Sequence, residues 1–295
     1  VKIVRLDRAG FCFGVRRATE LALALRARGG PVRTLGPLMH NPQEVERLRG
    51  LGVEPADRIE ACGAGPVVVR THGIARTDVE LAARLGVELV DATCPHVLRA
   101  RREILRFGRE GRTVVLAGDC LHPEVRAQVS FATGPIHVAA CPEELPALPP
   151  ETRVGLVAQT TLTPEDLGAI EAALRARHPD TVVAPTLCDD ARLRQAEAAV
   201  LAARVDAVVV VGGLSSANTS RLASICRRIQ PRCFHVESAA ALRAEDFSGV
   251  ATVGLAAGAS TPDWLIDEVA AWLADPLVQA AASKENSFDT RGQSQ

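Results

Sequence analysis

Short apolar runs alternate along the chain with longer stretches in which apolar residues recur every three or four positions. The runs fall at residues 2–6, 32–35, 67–70, 87–90, 113–117, 153–157, 207–211 and 252–256. They predict strands, because a continuous Val-, Ile-, Leu- and Ala-rich run suits a strand covered on both faces. The periodic stretches at 15–28, 43–49, 78–85, 96–109, 164–177, 192–204, 218–229 and 262–274 predict amphipathic helices. Strand–helix alternation of this kind predicts an α/β fold with mostly parallel sheets. The order of elements also repeats, so three related α/β units are expected at residues 13–94, 95–188 and 189–275. A first strand and loop at 1–12 precede them. A tail at 276–295 follows, and its polar, aperiodic part from Ser283 is expected to be disordered.

Composition narrows the class. Hydrophobic residues make up 47% of the 295 positions, enough for a sizeable core. The 34 basic and 35 acidic residues leave a net charge of −1, which argues against a nucleic-acid binder relying on bulk charge. No apolar stretch reaches the roughly 18 residues of a membrane-spanning helix. The segment Val1-Lys2-Ile3-Val4-Arg5-Leu6 reads as a strand and not as a signal peptide, so a cytoplasmic, reducing setting is expected for the eight cysteines.

Three cysteines share a setting. Cys12, Cys94 and Cys188 each lie in a Gly-, Pro- or Asp-containing loop after a strand-like run, in Gly10-Phe11-Cys12-Phe13-Gly14, Thr93-Cys94-Pro95 and Leu187-Cys188-Asp189. They are 82 and 94 residues apart, one thiol to each third of the chain. Parallel strands place ligand sites at their C-terminal ends, so loops of three facing units would meet at one centre. Three converging thiolates could hold an iron–sulfur cluster with one iron left open to substrate. Spacing alone favours inert core thiols, since buried cysteine is a common small hydrophobe. There is no CxxC pair to support a zinc ribbon or a thioredoxin-like site. Cys226 and Cys233 read as packing, whereas Cys120 lies close to a histidine loop.

The same kind of loop holds His40, His72 and His122, each beside Gly or Pro and near an expected helix start. Free N–H groups at a helix N-terminus suit a phosphate. The third unit offers hydroxyls and an amide instead: Ser216 and Asn218 after the strand ending at Val211, and Ser260 after the strand ending near Ala256. These side chains can serve as helix caps or as neutral donors to an anion. Glu124, next to His122, either complements a helix dipole or supplies a proton. Thr160 follows the strand-like run that ends at Val157.

The runs Gly10-Phe11-Cys12-Phe13-Gly14-Val15, Gly36-Pro37-Leu38-Met39-His40-Asn41-Pro42-Gln43, Asp91-Ala92-Thr93-Cys94-Pro95, His122-Pro123-Glu124-Val125, Ala158-Gln159-Thr160-Thr161 and Ala257-Gly258-Ala259-Ser260-Thr261-Pro262-Asp263 occur in this order. In them the chain resembles the 4-hydroxy-3-methylbut-2-enyl diphosphate reductase family of the methylerythritol phosphate route to isoprenoids, from about Ile3 to Leu273. The resemblance implies a trefoil of three α/β units around a central 4Fe–4S cluster, one per chain, held by Cys12, Cys94 and Cys188. It implies diphosphate binding by His40, His72, His122, Ser216, Asn218 and Ser260. Glu124 would be the proton donor, and Thr160 would lie near the substrate alcohol. The activity implied is reductive dehydroxylation of an allylic diphosphate to isopentenyl and dimethylallyl diphosphates, with ferredoxin or flavodoxin as electron donor.

Two runs depart from the family pattern. Cys188-Asp189-Asp190-Ala191 stands where a Cys-Asn-Ala-Thr-like run is usual, and Leu214-Ser215 stands where many relatives carry Lys-Asn. Asp190 reads as a candidate N-cap. The first departure keeps open a divergent paralogue that acts on another allylic diphosphate. A non-catalytic, cluster-based redox sensor is the competing class, and retention of Glu124 and the three loop histidines argues against it.

Overall fold

In this computed structural model, residues 1–63 and 65–278 are described. The polar end expected to be disordered lies outside them. The described residues contain three four-stranded, wholly parallel sheets with helices between successive strands, an α/β fold. By contacts the chain divides into two compact units, one of Phe13–Met39 and Val45–Arg192, the other of Val1–Cys12, His40–Glu44 and Leu193–Gln295.

The larger unit holds two sheets. The first contains β2 (Val32–Leu35), β3 (Val53–Ala56), β4 (Val67–Val69) and β5 (Leu89–Asp91), in the order β3-β2-β4-β5. The second contains β6 (Thr113–Ala117), β7 (Ile136–Ala139), β8 (Val154–Ala158) and β9 (Val182–Val183), in the order β7-β6-β8-β9. The smaller unit holds the third sheet, with β1 (Lys2–Arg5), β10 (Ala207–Val211), β11 (Cys233–Val236) and β12 (Thr252–Ala257) in the order β1-β12-β10-β11. Read from β11, the third sheet repeats the order of the other two, except that β1 from the start of the chain takes its fourth place. The fourth strands β5, β9 and β1 lead respectively to Cys94, Cys188 and Cys12.

Central strands are buried on both faces, as their unbroken apolar sequences require. In β10, all five residues Ala207–Val211 are buried, and alternate side chains enter two different clusters. Val209 joins Leu255, Leu265 and Ile266 on one face, while Val208 and Val210 join Leu222 and Ala256 on the other. Each fully buried Val or Leu contributes about 1.5–3 kcal/mol, so these strands fix the loops at their ends.

Nine helices are assigned among the described residues. Those that position the loops below are α1 (Phe13–Ala27), α2 (Pro42–Gly50), α3 (Arg76–Leu85), α4 (Pro95–Arg109), α5 (Pro123–Ser130), α6 (Pro164–Arg177), α7 (Asp189–Ala202), α8 (Ala217–Ile229) and α9 (Asp263–Ala274). No helix among the described residues is long and apolar enough to cross a membrane. α7 begins at Asp189, three residues before the sequence pattern suggests. Asp190 is therefore inside the first turn and is not the N-cap. Two carboxylates there complement the helix dipole.

Candidate active site

In the larger unit, a continuous path of contacts joins most of the residues singled out by sequence. Cys94 is the N-cap of α4, and its N–H donates to the Thr71 carbonyl at 3.0 Å. The adjacent His72 meets the His122 ring edge-on, with centroids 5.4 Å apart. His122 is itself the N-cap of α5, where its Nδ1 accepts from the Glu124 N–H at 3.1 Å. That bond occupies the Nδ1 lone pair, so in the neutral ring the proton sits on Nε2 as a donor.

Glu124 is 1% exposed. Its Oε1 accepts from the Thr160 N–H and its Oε2 from the Thr160 hydroxyl, both at 2.8 Å. The Thr160 carbonyl in turn accepts from the Cys188 N–H at 2.8 Å. One threonine thus joins the buried acid to a cysteine loop. Asp189 faces solvent, with its side chain 70% exposed and 3.7 Å from Arg192, whereas Ala191 is buried.

The smaller unit carries Cys12, His40, Ser216, Asn218 and Ser260. The Cys12 N–H donates to the Ala259 carbonyl at 3.0 Å, and the neighbouring Ser260 hydroxyl donates to the His40 carbonyl at 3.2 Å. Gly213 lies so close to that carbonyl that a Cβ would run into it, which explains glycine at this place. Ser216 caps α8, its hydroxyl accepting from the Thr219 N–H at 3.3 Å and the Thr219 hydroxyl at 3.0 Å. Asn218 is different. It is 6% exposed, and neither its Nδ2 nor its Oδ1 has a hydrogen-bond partner. A buried amide left this way, at a helix N-terminus beyond a parallel strand, fits an anionic ligand that would accept from its Nδ2. His235 supports this loop from below, with Nε2 3.1 Å from the Gly212 carbonyl, and burial holds its imidazole below the usual value.

Cys141 is partly buried like the three loop cysteines, with its thiol pushed up by a hydrogen bond to Glu143, but three others differ in burial. Cys62, Cys226 and Cys233 are buried in apolar clusters. Burial pushes the Cys62 thiol up, and contact with Cys233 together with burial pushes Cys226 up, so both stay protonated packing groups. Cys12, Cys94 and Cys188 are only partly buried, and Cys120 is exposed.

Three arginines were not among the residues that the sequence singled out. Arg17, Arg99 and Arg194 all donate to carbonyls of the cysteine-bearing segments. A signal exists in the sequence, because each follows a loop cysteine by five or six positions.

Fold and site together define an α/β protein of three parallel sheets, with thiols, imidazoles, hydroxyls and one buried acid on the loops that follow the strands. The chain belongs to the LytB protein family, whose model matches residues 3–274. It is 47% identical over 269 residues to a protein of Geobacter sulfurreducens named 4-hydroxy-3-methylbut-2-enyl diphosphate reductase, covering 91% of this chain and 95% of that one. A protein of Anaeromyxobacter sp. with the same name is 46% identical over 275 residues, covering 92% and 96%. A solved structure of (E)-4-hydroxy-3-methyl-but-2-enyl diphosphate reductase, the terminal enzyme of the non-mevalonate pathway, is 39% identical. It matches with a TM-score of 0.70 over 93% of this chain and 99% of the other. A Plasmodium falciparum reductase structure, at 23% identity and TM-score 0.88 over 93% and 88% of the two chains, supports the fold alone.

Proposed function

We propose that this protein reduces (E)-4-hydroxy-3-methylbut-2-enyl diphosphate to isopentenyl and dimethylallyl diphosphates in the cytoplasm, with electrons from ferredoxin or flavodoxin. The observation that carries the reading is the pair of 2.8 Å bonds from Thr160 to Glu124, on the residue whose carbonyl holds the Cys188 N–H. High identity to proteins named for this reaction supports it.

Cys12, Cys94 and Cys188 would hold a 4Fe–4S cluster. The donor set fits, since each of these partly buried thiols follows the fourth strand of a sheet, while Cys62, Cys141 and Cys226 are held as thiols. When bound, such a cluster supplies electrons and a Lewis-acidic iron at one open position. The protein's own residues do the rest. Asn218, Ser216, Ser260, His40, His72 and His122 bind the diphosphate without lysine or arginine. The Thr160 hydroxyl donates its hydrogen bond to Glu124 Oε2, which leaves the oxygen lone pairs to accept from the substrate alcohol. With Glu124 protonated, the same contact runs in reverse and carries a proton through Thr160 Oγ1 to the leaving hydroxyl. An allylic hydroxyl leaves poorly as hydroxide and readily as water, so this proton controls the step.

The paralogue reading rests on the Asp189-Asp190-Ala191 run, and the exposed, Arg192-paired position of Asp189 weighs against it. An anaerobic assay with the named substrate and a chemical reductant tests the proposal. Turnover to the two C5 diphosphates is expected. A protein with a full cluster and no turnover would favour another allylic diphosphate.

A further inference from the structure

Helices α1, α4 and α7 each begin directly after one of the three loop cysteines. Arg17 on α1 donates to the Asp91 carbonyl at 3.3 Å and the Thr93 carbonyl at 3.5 Å, in the segment that leads into Cys94. Arg99 on α4 donates to the Leu187 carbonyl at 2.8 Å, one residue before Cys188. Arg194 on α7 donates to the Ala257 carbonyl at 3.2 Å and to the carbonyl of Arg8, on the approach to Cys12. The order therefore runs from the helix after Cys12 to the loop of Cys94, from the helix after Cys94 to the loop of Cys188, and from the helix after Cys188 to the loop of Cys12. Each of these bonds lies within one of the two compact units.

We propose that Arg17, Arg99 and Arg194 are positioning residues of a cyclic clamp, each holding the loop of the next cysteine and setting a fixed positive charge behind it. This rests on the reading that the three cysteines hold an iron–sulfur cluster. A planar guanidinium suits the task because its forked donors reach two carbonyls at once, as those of Arg17 do. Arg194 is 2% exposed, and burying a cation is expensive unless its position is used. Cluster potentials follow net charge and hydrogen bonding, so three cations behind the thiolate loops make the reduced cluster easier to reach.

The test compares the anaerobically reconstituted parent with Arg99→Gln and Arg99→Lys. Arg99 is chosen because it is only partly buried, unlike Arg194, so its variants disturb folding less. Iron per chain, the midpoint potential and hydrogen exchange at the Cys188 amide are read for each. Arg99→Gln should become harder to reduce, by up to tenfold in the one-electron equilibrium, or about 59 mV. Its Cys188 amide should exchange roughly ten- to a hundredfold faster, as expected for loss of one charge-assisted hydrogen bond. Arg99→Lys should recover the potential but not the full protection, which separates charge from geometry. If the parent takes up no cluster, the functional reading fails and the clamp falls with it. If the parent loads fully and Arg99→Gln matches it in potential and exchange, the clamp alone is overturned.

Discussion

Glu124 and Asn218 are both more than nine-tenths buried. Glu124 accepts two 2.8 Å bonds from Thr160, whereas neither amide atom of Asn218 has a hydrogen-bond partner. The larger unit thus holds its acid in place before any ligand arrives. The smaller unit keeps a buried amide without a hydrogen-bond partner, at a standing cost of about 1–3 kcal/mol. The difference suits two tasks. Proton delivery gains from a donor that need not reorganise during reaction. Anion binding gains from donors that water does not already occupy.

The sharpest test removes the acid and keeps its shape. Glu124→Gln should lower turnover by about a hundredfold or more while iron content stays at the parent level. Near-parent turnover would assign the proton to another group. A paired experiment then sets the two units against each other in ligand-free protein. Thr160→Val leaves the buried carboxyl short of a donor and should lower unfolding stability by about 1–3 kcal/mol in urea titrations. Asn218→Ala should leave stability equal or higher, while pyrophosphate affinity by calorimetry weakens by about 1–3 kcal/mol. Equal losses of stability in both variants would erase the distinction. The smallest effect concerns the run after Cys188. Replacing Asp189-Asp190-Ala191 with Asn-Ala-Thr should raise turnover by about 0.5–1.5 kcal/mol, a few-fold to roughly tenfold, if the new hydroxyl makes an ordinary bond to substrate. Unchanged or lower turnover would show that this chain has no use for the hydroxyl.

Sequence pattern located eight strands to within two residues of their observed ends: the six central ones, most of them continuous apolar runs, and the edge strands β1 and β5. The four it passed over, β3, β7, β9 and β11, all lie at sheet edges. Edge strands are half covered, so they tolerate Glu54 and Pro55 in β3 and His137 in β7 and need no apolar run. Helix α5 was expected only as a start after His122, without bounds, for a related reason. It is short, and its buried positions include Glu124 and Gln128, so its amphipathic signal is weak. At the site, residue types and loops were legible, but partners were not. Nothing in the local sequence says that Thr160 meets Glu124 or that Arg99 reaches Leu187, since both contacts come from bringing distant strands together. The capping role of Ser216 and the missing partners of Asn218, two residues apart, also became distinguishable only in three dimensions.

The pairing of β1 with β12, Lys2 beside Thr252 and Arg5 beside Leu255, has a consequence for biosynthesis. The other two sheets draw on successive stretches of chain and can close while translation continues. The third cannot, because its fourth strand leaves the ribosome first and its neighbour leaves near the end. Cys12 is therefore the earliest of the three loop thiols to be made and the last to be fixed, since the Ala259 carbonyl that holds its N–H emerges later still. A metal centre that needs all three thiols cannot be completed on a partial chain. If Cys12, Cys94 and Cys188 hold the proposed cluster, order of synthesis keeps that cofactor out of an unfinished protein.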